Sequence, residues 1–166
     1  MTTASAPQTS ADPTGSVTVI PHIVAGERVS PQGRTGPVFN PASGRQSGEV
    51  ALASAAFVNE AARRAQAAQR GWRDTGLGKR QQVMFRLREI VASRAEELAR
   101  IITAEHGKTV DDALGEVARG LENVEFCTSL MHHLKGDYSE QVAAGVDVHQ
   151  VRQPVGVVAC ITPFNF

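Results

Sequence analysis

The residues able to do chemistry gather at a few places in this 166-residue chain. Thr162-Pro163-Phe164-Asn165 follows an apolar, largely β-branched run over 155–161, interrupted only by Gly156. Pro163 has no backbone N–H and a fixed φ, so it lines a site without leaving a donor unpaired. Asn165 carries an amide with two donors. An amide at the carboxyl end of an α/β strand stands where ligands bind. A donor aimed at a developing oxyanion contributes about 2.7–4 kcal/mol to transition-state stabilisation. A turn asparagine at a strand end, with no chemistry, fits the same pattern.

Four other places carry reactive or ionisable groups. Cys127 and Cys160 belong to no CxxC pair and stand at no metal-ligand spacing from a histidine, so two buried thiols are expected. Cys160 falls inside the apolar run, where burial raises a thiol pKa and makes it inert. His132 and His133 are adjacent and diverge on a helix. Glu105-His106-Gly107-Lys108 reads as a helix end with cations at its negative pole. Arg119 lies three residues from both Glu116 and Glu122, the spacing of a surface ion pair on a helix.

The elements that must position these groups follow from periodicity. "VTVIPHIVAGERV" holds two β-rich pieces around Ala25-Gly26-Glu27, a hairpin signal. Residues 30–54 are dense in Gly, Pro, Asn and Ser and read as loop with short strands. Asn40-Pro41 and Ser43-Gly44 are turn dipeptides. A first helix begins after Ser54, a residue able to cap it, shows small residues at Ala55, Val58, Ala62, Ala65 and Ala68, and ends at Gly71.

"GKRQQVMFRLREIVASRAEELARIITAEHGKT" reads as one long amphipathic helix. Its stripe is Val83, Met84, Leu87, Ile90, Val91, Leu98, Ile101 and Ile102. A third helix is capped by Thr109, with Asp111 and Asp112 at its positive end, and runs to Gly136. The period then changes to two around Ala144-Gly145, as in a polar hairpin. Residues 155–161 read as a buried parallel strand, although nothing earlier in the chain supplies a parallel sheet for it.

Composition narrows the function classes. Hydrophobic residues make up 42% and charged residues 20%, and 17 basic residues balance 17 acidic ones. There is no basic excess for nucleic acid or an anionic membrane surface. No apolar stretch approaches the roughly 18 residues that span a bilayer. Near-zero net charge favours a subunit that associates. Residues 1–16 are polar and small, unlike a secretory or transit signal, and read as a disordered leader of a cytoplasmic protein.

"RQPVGVVACITPFNF" resembles the segment of the aldehyde dehydrogenase superfamily that enters its cofactor-binding fold. "GRTGPVFNPASGRQSGEVALAS" resembles the family's opening strand region, and "HGKT" strengthens the match. "RGLENVEFC" and "LKGDYSEQVAAGVDVHQ" make the chain most similar to the CoA-acylating methylmalonate-semialdehyde dehydrogenases. The likeness covers about residues 20–166.

The resemblance implies an α/β fold class and the N-terminal part of a longer enzyme. Residues 17–137 would form a β-rich start followed by helices of the NAD-binding domain. Residues 138–153 would be an oligomerisation hairpin serving a homo-tetramer or dimer. Residues 154–166 would be the first Rossmann strand and cofactor loop. Asn165 matches the family's oxyanion donor, Thr162, Pro163 and Phe164 match the loop touching NAD, and Arg119 lies on the helix flanking the substrate tunnel. A guanidinium there suits the carboxylate of a semialdehyde substrate.

The implied reaction oxidises methylmalonate or malonate semialdehyde with NAD and passes the acyl group to coenzyme A. Carbon dioxide is released, a step of valine catabolism. The family nucleophile is a later cysteine, so neither Cys127 nor Cys160 is expected to fill that role. These 166 residues alone are expected to be inactive. A hydrolytic semialdehyde dehydrogenase and a non-catalytic assembly fragment are the alternatives.

Overall fold

The computed structural model describes residues 17–162. Pro163, Phe164 and Asn165, and the expected leader over 1–16, lie outside the described residues. The chain divides after Ser54 into two compact units.

In the first unit, five short strands form as the turn chemistry demands. They are β1 (Thr18–Ile20), β2 (His22–Val24), β3 (Glu27–Val29), β4 (Thr35–Phe39) and β5 (Gln46–Ala51). β2 and β3 pair antiparallel across Ala25 and Gly26, both at positive φ, the geometry that matches strand twist in a two-residue hairpin. A separate sheet has the order β1-β5-β4, with β5 parallel to β1 and antiparallel to β4.

Residues 30–54 thus hold more strand than loop. Pro37 is tolerated because β4 is an edge strand. Gly48 is required where β1 and β5 meet, since a Cβ there would stand 2.9 Å from the Thr18 carbonyl oxygen. The expected turn between β4 and β5 is built on Asn40, whose Oδ1 accepts from Ala42 N at 2.8 Å and whose N–H donates to the Arg45 carbonyl at 2.8 Å.

The second unit holds α1 (Ala55–Arg73), α2 (Leu77–Ser93), α3 (Ala95–His106), α4 (Val110–Thr128), α5 (Leu130–His133), β6 (Tyr138–Ala143) and β7 (Val146–His149). α1 runs two residues past Gly71. A glycine inside a helix costs only about 1 kcal/mol, less than a stop signal requires.

The long periodic segment is two helices, broken at Arg94 (φ −112°, ψ 17°). Ser93 Oγ donates to the Ile90 carbonyl at 3.1 Å, and hydroxyls that take up a helix carbonyl in this way bend the chain. Arg94 then starts α3, with its guanidinium forked onto Glu97 at 2.7 and 2.6 Å.

The same chemistry ends α4 at Thr128 rather than at Gly136. Thr128 Oγ1 donates to the Glu125 carbonyl and Ser129 Oγ to the Phe126 carbonyl, each at 2.7 Å. Gly136 serves the base of the hairpin instead, where a Cβ would collide with the Gln150 carbonyl oxygen.

α4 packs on both α2 and α3. The buried centre is small: Ala99 and Ala113 are fully buried and Val117 nearly so. Alanines on facing helices allow close backbone approach. The predicted stripe splits accordingly. Met84, Val91, Leu98 and Ile102 are half-buried, whereas Val83, Leu87, Ile90 and Ile101 are exposed. α1, where a narrow face of small residues was expected to meet a neighbour, buries no residue.

The hairpin forms as expected, with Gly145 in its turn at positive φ and both strands exposed. Asp147 fixes its bulge by accepting from Tyr138 Oη at 3.1 Å and from Gln141 N at 2.9 Å.

The buried strand expected over 155–161 is not present. These residues have no regular structure, and Val155 is 93% and Ile161 97% exposed. A parallel strand needs backbone partners, and none of β1 to β7 pairs with this segment. No helix among the described residues is long and apolar enough to cross a membrane.

Candidate functional site

Of the residues that the family likeness assigns to a site, Thr162 and Arg119 are described. Thr162 closes the unstructured segment with its side chain open to solvent. Arg119 sits in the middle of α4, positioned by the Thr109 cap: Thr109 Oγ1 accepts from Asp112 N at 3.2 Å, and Asp111 and Asp112 occupy the first turn. The Arg119 guanidinium is exposed and holds Glu122 Oε2 at 2.7 Å. The Arg119 carbonyl accepts from Asn123 Nδ2 at 2.9 Å. Glu116, the other acid within reach by spacing, is taken by Lys108 at 2.8 Å. No hydrogen bond or ion pair among the described residues joins Arg119 to Thr162.

The Glu105-His106-Gly107-Lys108 stretch is a helix end, as expected. Gly107 takes the left-handed conformation (φ 88°) and its N–H closes on the Thr103 carbonyl at 2.9 Å, so α3 stops there. Lys108 has a side chain only 11% exposed. It turns forward onto Glu116 and ties the end of α3 to α4.

Both cysteines are exposed, not buried as their apolar surroundings in sequence imply. Cys160 lies in a segment with no strand to cover it, and Cys127 faces away from the helix core. Among the described residues, no hydrogen bond is made by either thiol. His133 instead meets Ser129 Oγ at 2.7 Å and stacks on Phe126, with ring centroids 4.4 Å apart. Among the described residues, no group of three His, Cys, Asp or Glu side chains is arranged to hold a metal ion.

The concavities of the surface were not foreseen. An open groove of about 840 Å3 runs between α1 and residues 154–157, lined by polar side chains that include Asn59, Arg63, Gln66 and Arg73. Arg63 is held by Glu60 and Arg73 by Asp74. A smaller cavity lies where α2 begins and α5 ends, between Arg80 and Arg152. The two arginines are 72 positions apart in sequence, so no spacing rule could have paired them.

Residues 29–166 match the aldehyde dehydrogenase family. The malonate-semialdehyde dehydrogenase of Pseudomonas aeruginosa is 42% identical over 145 residues, which is 87% of this chain and 29% of that one. A Sinorhizobium meliloti structure complexed with NAD, assigned as a methylmalonate-semialdehyde dehydrogenase, superposes with a TM-score of 0.87 at 40% identity, covering 92% of this chain and 31% of that one. The methylmalonate-semialdehyde dehydrogenase of Oceanimonas doudoroffii gives 0.80 at 41% identity, over 83% and 28% of the two chains. The chain therefore spans about three-tenths of the length of the relatives it matches.

Proposed function

Because the chain belongs to the aldehyde dehydrogenase family, we propose that it is the N-terminal portion of an NAD-dependent, CoA-acylating methylmalonate- or malonate-semialdehyde dehydrogenase. The carrying observation is the agreement of both comparisons: the malonate-semialdehyde dehydrogenase at 42% identity and the NAD-bound structure at a TM-score of 0.87.

In this reading Asn165 donates its amide N–H to the aldehyde oxygen as negative charge develops there. Thr162, Pro163 and Phe164 form the turn against the ribose and nicotinamide side of NAD. An open Thr162 side chain, free to meet an outside partner, is compatible with that role. NAD, when bound, supplies the hydride acceptor, and coenzyme A serves as acyl acceptor. Neither Cys127 nor Cys160 is the nucleophile, and these 166 residues alone do not catalyse. Formation of NADH by the purified chain above a protein-free blank would overturn that statement.

Arg119 is assigned to the substrate carboxylate. An exposed ion pair of this kind is worth only about 0–1 kcal/mol, so exchanging Glu122 for a substrate carboxylate costs little. Arg119→Leu at the matching position of a full-length relative is expected to raise KM for methylmalonate semialdehyde by roughly tenfold or more while sparing propanal. Equal effects on both aldehydes would refute the assignment.

Residues 138–153 are proposed to pair with a neighbouring subunit in a homo-tetramer or dimer, since both strands of the hairpin are exposed and its edges are open. The cytoplasm is the proposed location.

A further inference from the structure

Arg80 and Arg152 line one cavity of about 230 Å3 together with Leu77, Leu134, Gln153 and Pro154. Among the described residues that line it there is no aspartate or glutamate. Arg80 Nε is buried and has no hydrogen-bond partner, and no ion pair among the described residues includes Arg80 or Arg152. Arg152 donates its Nε to the Lys135 carbonyl at 3.0 Å, which anchors the guanidinium and leaves its outer nitrogens available. A desolvated guanidinium N–H with no acceptor is uncommon, because nothing repays the lost hydration.

Elsewhere in the second unit Arg88 is balanced by Glu125 and Arg100 by Glu96. Here Arg80 and Arg152 line one cavity with no carboxylate among its described lining residues. Leu77 is the first residue of α2, and Gly76 before it supplies no side-chain cap, so the positive end of that helix adds to the same field.

We propose that this cavity binds a phosphate group, either the free ion or a small phosphate monoester. Two guanidiniums balance a dianion, and their planar forks suit the oxygens of a tetrahedral phosphate. Leu77, Leu134 and Pro154 give the rest of the cavity an apolar wall suited to a short ester substituent. Neither Arg119 nor Thr162 lines the cavity, and the proposal does not depend on their assignment to semialdehyde and NAD.

The test is calorimetric titration of the 166-residue chain with inorganic phosphate, phenyl phosphate and acetate in parallel, with far-UV circular dichroism on each sample. The expected result is saturable one-to-one binding of inorganic phosphate and no saturation by acetate. Tighter binding of phenyl phosphate than of the free ion would identify a monoester as the ligand, and the reverse order would identify phosphate itself. Arg80→Gln and Arg152→Gln should each weaken binding roughly tenfold or more, and Arg63→Gln on α1 should leave it unchanged. If Arg80→Gln loses its helical signal, Arg152→Gln decides, since Arg152 is exposed and its loss leaves the helix core intact. Unsaturable heats, acetate binding equal to phosphate, or equal loss in Arg63→Gln would overturn the proposal.

Discussion

The cluster of α2, α3 and α4 and the segment 155–161 are both apolar, and they meet opposite fates. The helices bury Ala99, Ala113 and Val117, while the more β-prone segment leaves Val155 and Ile161 almost wholly exposed. A helix satisfies its backbone internally and asks its neighbours only for side-chain cover. A strand must find its hydrogen bonds on another strand, and a parallel one must find them on both edges. Apolar character alone therefore does not order a segment; the range at which its backbone partners lie decides.

The largest effect expected from this contrast is at Ala113. Ala113→Leu adds volume where α4 has none to spare, and overpacking should cost about 1–3 kcal/mol. The urea midpoint of the helical signal reads this out, and an unchanged midpoint would mean that the three helices do not share a core. Thr109→Ala removes the hydroxyl that accepts from Asp112 N and should cost about 1 kcal/mol by the same measurement. Val158→Ser, in the uncovered segment, should lie within about 0.5 kcal/mol of the parent chain; a large loss would show the segment to be packed after all.

The smallest effect concerns acid. The hydrogen bond from Arg94 holds the Glu97 carboxyl below its ordinary range. A depressed folded-state pKa stabilises above the unfolded carboxylate pKa, and that contribution fades as pH falls through the folded value. Glu97→Gln should therefore remove a shallow acid-side decline in helix stability and change nothing near neutrality. A difference confined to alkaline pH would contradict the pairing.

Much of this was legible in sequence. Ala25-Gly26 foretold the β2–β3 hairpin, Asn40 and Gly44 the turn before β5, Thr109 the start of α4, Gly107 the end of α3, and Gly145 the last hairpin. In each the deciding interaction lies within about five residues. The breaks at Arg94 and Ser129 were missed because a serine or threonine hydroxyl has a choice. Toward solvent it is silent, and toward the carbonyl three residues back it bends the helix. Periodicity reports apolar positions and cannot see that rotamer.

Of the candidate site, the sequence singled out Thr162, Pro163, Phe164, Asn165 and Arg119 through residue type and family likeness, and the ion pair of Arg119 with Glu122 through spacing. The exposure of Cys127 and Cys160, the turn of Lys108 onto Glu116, and the cavity that Arg80 and Arg152 both line were not foreseen. Spacing along a helix or around a turn fixes local geometry, so sequence by itself determined the caps, the turns and the i to i+3 pairs. Which apolar face is covered, which cation finds an acid and which arginines share a cavity depend on segments far apart in the chain. Only the tertiary structure decided those.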